Sequence, residues 1–276
     1  MVKIENLKYR YSDGTQALKG ISLSLPESKK TAILGHNGSG KSTLLFHLNG
    51  LYMPQEGAVE VLGIQVNQKN EKLLKSKIGM IFQDPDDQVF SATVWEDVAF
   101  GPTNMGLTSS EVEERVEKAL KKVDMWEMRD KAPYHLSYGE KKRAAIAGVI
   151  AMDCKMLVLD EPVAYLDPSG QQALFEILNG LHEQGISIIM ATHDVDLACE
   201  WADQIVILKD GYVLTEGSPK LLGNPKFVKE AKLRLPKMVE LFQKIKGNDG
   251  HYPVTMDEAA ACMNHWLDEV PSMKRE

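Results

Sequence analysis

Only three cysteines occur in the chain, Cys154, Cys199 and Cys262, and no two stand in a Cys-x-x-Cys pair. So sparse and odd a set argues against a disulfide framework and for a reducing compartment. Long apolar runs are missing too. The longest, such as 186–192, are strand-sized and far shorter than the roughly 20 residues that cross a bilayer. The first ten residues lack the basic-then-apolar pattern of a secretory signal. Any role at a membrane is therefore expected to run through partners. There is no internal repeat, no low-complexity tract and no sustained heptad, which excludes a solenoid or a coiled coil. Nor is there an excess of positive charge. Lys and Arg number 32 and Asp and Glu 39, and a net charge of -7 argues against a protein that coats nucleic acid nonspecifically.

What is present suits one large α/β domain with a small appendage. The 276 residues are 43% hydrophobic and 26% charged, enough for a sizeable core. Runs at 31–34, 78–82, 156–159, 186–191 and 205–208 read as strands. Several are apolar throughout, which predicts strands covered on both faces. Between them, Val112, Val116, Ala119, Leu120 and Val123 recur at helical spacing, and 144–152 is apolar almost all round, as in a buried helix. After about Gly217 the composition changes. Pro219, Pro225, Pro236 and Pro253 punctuate the tail, which reads as helical, with a turn-like Gly247-Asn248-Asp249-Gly250.

Gly35-His36-Asn37-Gly38-Ser39-Gly40-Lys41-Ser42 matches G-x-x-x-x-G-K-[ST], and Thr43 carries it into a helix. Glycines let successive N–H groups converge on one anion, and the helix that follows offers free amides and a partial positive charge. Lys41 is expected to neutralise phosphate, and Ser42 can ligate Mg²⁺. Farther on, Met156-Leu157-Val158-Leu159 ends in Asp160-Glu161. A buried strand that terminates in carboxylates puts them at the sheet's carboxyl edge, where ligands sit. Asp160 is expected to hold Mg²⁺ and Glu161 to polarise the attacking water. Taken alone, Asp160 could equally be a helix N-cap; the cradle tips the balance.

Leu136-Ser137-Tyr138-Gly139-Glu140 narrows the class, because it resembles the signature of ABC ATPases, usually Leu-Ser-Gly-Gly-Gln, followed here by a basic helix start at 141–143. Physically it is a second anion device, a Ser137 N-cap with Glu140 in capping-box position. The resemblance covers roughly 1–217 and implies a P-loop ABC-ATPase fold. That fold has a mixed sheet core, a helical signature subdomain at about 84–150 and a C-terminal helical extension at 218–276. It implies ATP with Mg²⁺, and a head-to-tail dimer in which one chain's cradle and the other's Ser137 and Gly139 share each ATP. Other landmarks of the family fall in order. Gln83 resembles the Q-loop glutamine at Mg²⁺ and the water, Asp167 the D-loop aspartate, and His193 the switch histidine at the γ-phosphate. Tyr11 resembles the aromatic that stacks on adenine, with Tyr9 as competitor. Three positions depart from the pattern: Tyr138 stands for a glycine, Tyr165 stands for a small D-loop residue and, as a milder change, Glu140 stands for glutamine.

The stretch Phe82-Gln83-Asp84-Pro85-Asp86-Asp87-Gln88-Val89-Phe90, with 93–102 after it, is similar to the energy-coupling-factor subfamily, which serves cobalt, nickel and vitamin importers. The resemblance implies a peripheral position at the cytoplasmic face of the cell membrane. It also implies partners: a second ABC ATPase, identical or related, and integral membrane coupling and substrate-binding components. Nucleic acid is not among them. Val89, Phe90 and Trp95 are candidates for a groove that receives a helix of the membrane subunit. Two rivals are a soluble ABC ATPase of repair or translation and a regulatory P-loop module without turnover. The interval 43–136 is too short for the coiled coil of repair types, and only one cassette is present, where translation types carry two.

Overall fold

The computed structural model describes residues 1–245 and 252–269, so the turn expected at Gly247-Asn248-Asp249-Gly250 lies outside the described residues. The chain opens with β1 (Val2–Arg10), β2 (Gln16–Leu25), β3 (Lys30–Leu34), α1 (Lys41–Leu48), β4 (Glu56–Val61) and β5 (Ile64–Gln65). Next come α2 (Glu71–Lys77), β6 (Ile78–Ile81) and three helices, α3 (Val94–Asn104), α4 (Ser109–Lys122) and α5 (Tyr138–Ala151). β7 (Met156–Asp160), α6 (Pro168–Glu183), β8 (Ser187–Thr192), α7 (Val195–Trp201), β9 (Gln204–Lys209) and β10 (Tyr212–Gly217) complete the sheets. The tail forms α8 (Pro225–Glu230), α9 (Lys237–Lys244) and α10 (Met256–Glu269).

The strands form two sheets. An antiparallel one has the order β2-β1-β4-β5, and a six-stranded one runs β10-β9-β3-β8-β7-β6, parallel except for the β9–β10 pair. All five strands read from apolar runs lie in the second sheet. They are covered on both faces, and β7 and β8 are buried at every position. Phe82 and Ile186 fall just outside their strands. The antiparallel sheet was not anticipated.

One core cluster lies under α3, α4, α5 and α6, and a second lies between the two sheets. Six residues of α5, from Ala144 to Ala151, are buried, as its apolar sequence requires. It can approach β6 closely because position 79 has no side chain. A Cβ built on Gly79 would stand 2.0 Å from Val149 Cγ1. A third cluster joins tail residues Leu222, Val228, Val239 and Val254 to Leu34 of β3, Val195 of α7 and Ile207 of β9. The appendage is thus packed into the sheet's outer face. Burial pushes the thiols of Cys154 and Cys199 up to about 12, so neither is a thiolate nucleophile near neutrality.

Candidate nucleotide site

Parallel register aligns the ends of three strands. Leu34 of β3 pairs with Thr192 of β8, and Asp160 of β7 pairs with Ala191. The connections leaving these ends frame a cleft of about 650 Å³. Gly38, Lys41 and Ser42 from the cradle, Gln83 after β6, Glu161 after β7 and His193 after β8 all line it. Asn37, Gly40, Thr43 and Tyr11 line it too.

Gly40 shows why the cradle needs glycine. It caps α1 at φ 104°, and a Cβ there would sit 2.9 Å from Leu18 and 3.0 Å from the Ala17 carbonyl. The loop is pinned by Gly211 N–H donating to Ser39 O at 3.1 Å. Gly35, His36 and Ser39 do not line the cleft. The His36 ring is turned outward. Its Nδ1 donates to Asn37 O at 2.7 Å and its Nε2 lies 3.2 Å from Asp210 Oδ1. Its backbone can still serve an anion, because the cradle acts through N–H groups.

Lys41, 6% exposed, donates to Gly35 O at 2.9 Å and lies 3.6 Å from Glu161 Oε1. His193 Nδ1–H donates to Glu161 Oε2 at 2.9 Å. Both groups expected at the phosphates are therefore engaged by the same carboxylate. Glu161 takes a left-handed φ of 44°, and its N–H is held by Ala191 O at 3.0 Å. Burial raises the Asp160 carboxyl above its usual range, with the neighbouring Ser42 hydroxyl opposing. Asp160 Oδ1 is buried without a hydrogen-bond partner. A buried acceptor without a partner, beside a serine hydroxyl, fits Mg²⁺, which takes hard oxygen ligands and completes its shell with substrate phosphates.

The two tyrosine candidates separate. Tyr11 lines the cleft with its hydroxyl 2.7 Å from Thr43 Oγ1. Tyr9 stacks on Tyr52 at 5.0 Å and meets His47 edge-on. Thr15, Gln16 and Ala17 also line the cleft, and sequence reading missed them, because the end of a turn and the start of β2 have no chemical signature of their own.

Ser137, Gly139 and Asp167 lie outside the cleft. Ser137 caps α5 in a complete capping box. Its N–H reaches Glu140 Oε2 at 2.7 Å, and Glu140 N–H returns to Ser137 Oγ at 3.3 Å. Asp167 caps α6, accepting from Gly170 N–H at 2.7 Å. The two departing tyrosines touch each other, with ring centroids 5.2 Å apart, and both are exposed. Of the basic helix start, Lys142 is not a surface residue. It is 1% exposed, and desolvation lowers its ammonium to about 8 against the pull of Asp84 and Asp160.

A phosphate cradle, a carboxylate pair and a histidine converging at the carboxyl edge of a parallel sheet define a P-loop nucleotide hydrolase. The chain belongs to the ABC transporter family, whose model matches residues 18–164, and it is an ATP-hydrolysing member that uses ATP with Mg²⁺. It is 49% identical to the energy-coupling factor transporter ATP-binding protein EcfA of Carboxydothermus hydrogenoformans, over 96% of this chain and 98% of that protein. To EcfA of Methanosphaera stadtmanae it is 45% identical, over 94% and 96%. Among solved structures it resembles cbiO1 from Clostridium perfringens, part of the ABC transporter complex cbiONQ. That match has 42% identity and TM-score 0.74, covering 88% of this chain and 98% of that one. It also resembles an ATP-binding cassette solved as a dimer in a post-hydrolysis state with ADP and phosphate. There the identity is 29% and the TM-score 0.72, over 79% of this chain and 99% of that one.

Proposed function

We propose that this chain powers an importer of the energy-coupling-factor type, moving a transition-metal ion, cobalt or nickel, or a vitamin. The observation that carries the reading is similarity to EcfA proteins over nearly the whole chain, tail included. Its partners are then a second ABC ATPase, identical or related, and integral membrane coupling and substrate-binding components. It sits peripherally on the cytoplasmic face of the membrane. Among the described residues no helix is long and apolar enough to cross a bilayer.

The roles follow from the geometry. The cradle's N–H groups take the triphosphate, and Lys41 exchanges the Gly35 carbonyl and Glu161 for phosphate oxygens. Tyr11 offers its ring to adenine. Ser42, Asp160 and Gln83 hold Mg²⁺, which when bound neutralises phosphate charge. Once Lys41 and His193 turn to phosphate, Glu161 is free to orient and deprotonate water. Ser137 and Gly139, outside the chain's own cleft, serve the nucleotide of a facing copy, and Asp167 lies at the same seam. ATP thereby favours the closed pair through its higher affinity for that state, and hydrolysis removes the bridge.

A second cleft of about 360 Å³ supports docking to a membrane subunit. Phe90 and Phe100, 66% and 53% exposed, stand there with centroids 5.4 Å apart. Val89 is buried and Trp95 packs on Trp126, so of the three candidates only Phe90 is free to make contact. Phe90→Asp is expected to lose co-purification with the membrane components while melting at the parent's temperature, since an exposed ring adds little to the fold. Retained association would remove the groove from the proposal.

We assign the tyrosine pair a restraint on closure. Tyr138 and Tyr165 join the signature helix to the D-loop within one chain, and such a ring contact is worth about 0.5–1.5 kcal/mol. Tyr138→Gly and Tyr165→Gly are expected to raise the ATP-dependent dimer association constant, each by roughly three- to tenfold, with a non-additive double variant. Sedimentation at several protein concentrations measures it, and unchanged dimerisation and turnover would exclude a restraint.

A further inference from the structure

The sequence places a lysine at position 142, on the second turn of α5, where the fold leaves no access to water. A buried ammonium is costly unless its donors are satisfied, and an apolar side chain of similar volume would fill the space without that cost. Lys142 Nζ donates to Phe82 O at 3.0 Å and to Gln83 O at 2.7 Å. Those carbonyls belong to the two peptide groups that flank the Gln83 Cα, where the chain leaves the end of β6 and enters the nucleotide cleft. The preceding residue reinforces the attachment, with Lys141 Nζ 2.5 Å from Asp86 Oδ1. Two consecutive lysines of the signature helix therefore grip the segment carrying Gln83, one through its side-chain partner and one through the backbone itself.

We propose that Lys142 is a positioning residue for Gln83, clamping the backbone so that the amide side chain stays in the cleft during turnover. The inference rests on the role proposed above for Gln83. It extends that role by giving α5 two tasks. Its N-cap Ser137 faces outward, while five residues further along Lys142 holds a group of the chain's own site. Nucleotide capture belongs to the cradle, so the clamp governs the chemical step more than ATP affinity.

The test is a double-variant cycle on the full chain, with phosphate release measured at saturating ATP and Mg²⁺. Lys142→Met keeps the volume and removes both donated bonds. It is expected to lower kcat roughly tenfold or more with KM for ATP within about threefold. In a Gln83→Ala background the same change is expected to cause no further loss, because the clamp then has nothing to position. Independent, multiplying losses would show a merely structural lysine and overturn the proposal, as would an unchanged kcat in Lys142→Met. If Gln83→Ala alone leaves kcat intact, the assigned role of Gln83 fails with it; an impaired Gln83→Ala with multiplying losses sinks the clamp only. Should Lys142→Met fail to fold, Lys142→Gln replaces it in the cycle. Its amide keeps N–H donors on a shorter arm, and partial recovery of kcat is expected, whereas a loss equal to complete removal of Gln83 together with a multiplying effect counts against the clamp.

Discussion

Glu161→Gln is expected to slow phosphate release by roughly 10²- to 10⁴-fold, the range for losing a general base, while ATP is held more tightly. The second half of this expectation comes from the geometry. The Glu161 carboxylate lies 3.6 Å from Lys41 and accepts from His193 at 2.9 Å, in a pocket where its own side chain is 9% exposed. Low exposure strengthens such attractions, so ATP must displace both partners before it can use them. An amide of the same shape attracts a lysine far less. Lys41 and His193 are then released to the phosphates at smaller cost, and the product step that would open the pair is blocked. The variant should therefore elute as a dimer with ATP and Mg²⁺ and as a monomer without nucleotide. A variant that stays monomeric with ATP, where the parent hydrolyses it, would remove the shared-nucleotide arrangement from the proposal.

Much of this arrangement is legible in residue order. The five strands of the main sheet read clearly because burial on both faces leaves each a nearly unbroken apolar run. The cradle and the Asp160-Glu161 pair read clearly because their chemistry demands particular residue types at particular spacing. The antiparallel sheet does not. β1 carries register shifts between Ile4 and Leu7, Leu7 and Lys8, and Tyr9 and Arg10, and each shift breaks the two-residue alternation that would mark a half-buried strand. Lys142 is hidden for another reason. Lys141, Lys142 and Arg143 look alike as a basic run, and only the placement of α5 against 82–86 turns one of them inward. Likewise nothing in His36 tells that its ring leaves the cleft for Asp210, a partner 174 positions away.

Ending the chain at Gly217 is expected to cost several kcal/mol of stability, lowering the melting temperature by more than about 10 °C or leaving the product insoluble. Composition sets the tail apart as a small helical appendage, and its side chains complete a core. Leu222, Val228, Val239 and Val254 are at most 4% exposed and share a cluster with Ala32, Leu34, Ala198 and Ile205. Full burial of such a side chain contributes about 1.5–3 kcal/mol, so the set approaches the whole stability of a domain, about 5–15 kcal/mol, before the ordering entropy of the tail is subtracted. Polar ties are weaker. Arg234 reaches Asp194 at 3.1 Å and Asp196 at 2.9 Å, yet it is half exposed, and pairs of that kind give about 0–1 kcal/mol. Arg234→Ala should accordingly move the melting point by only a few degrees, and the contrast between the two variants tests which force holds the tail. The loss should also reach the nucleotide. Leu34 immediately precedes the cradle and Val195 follows His193 by two positions, so opening their outer face loosens both ends of the phosphate site. A truncated chain that melts and hydrolyses ATP like the parent would show the cassette to be independent of everything after β10.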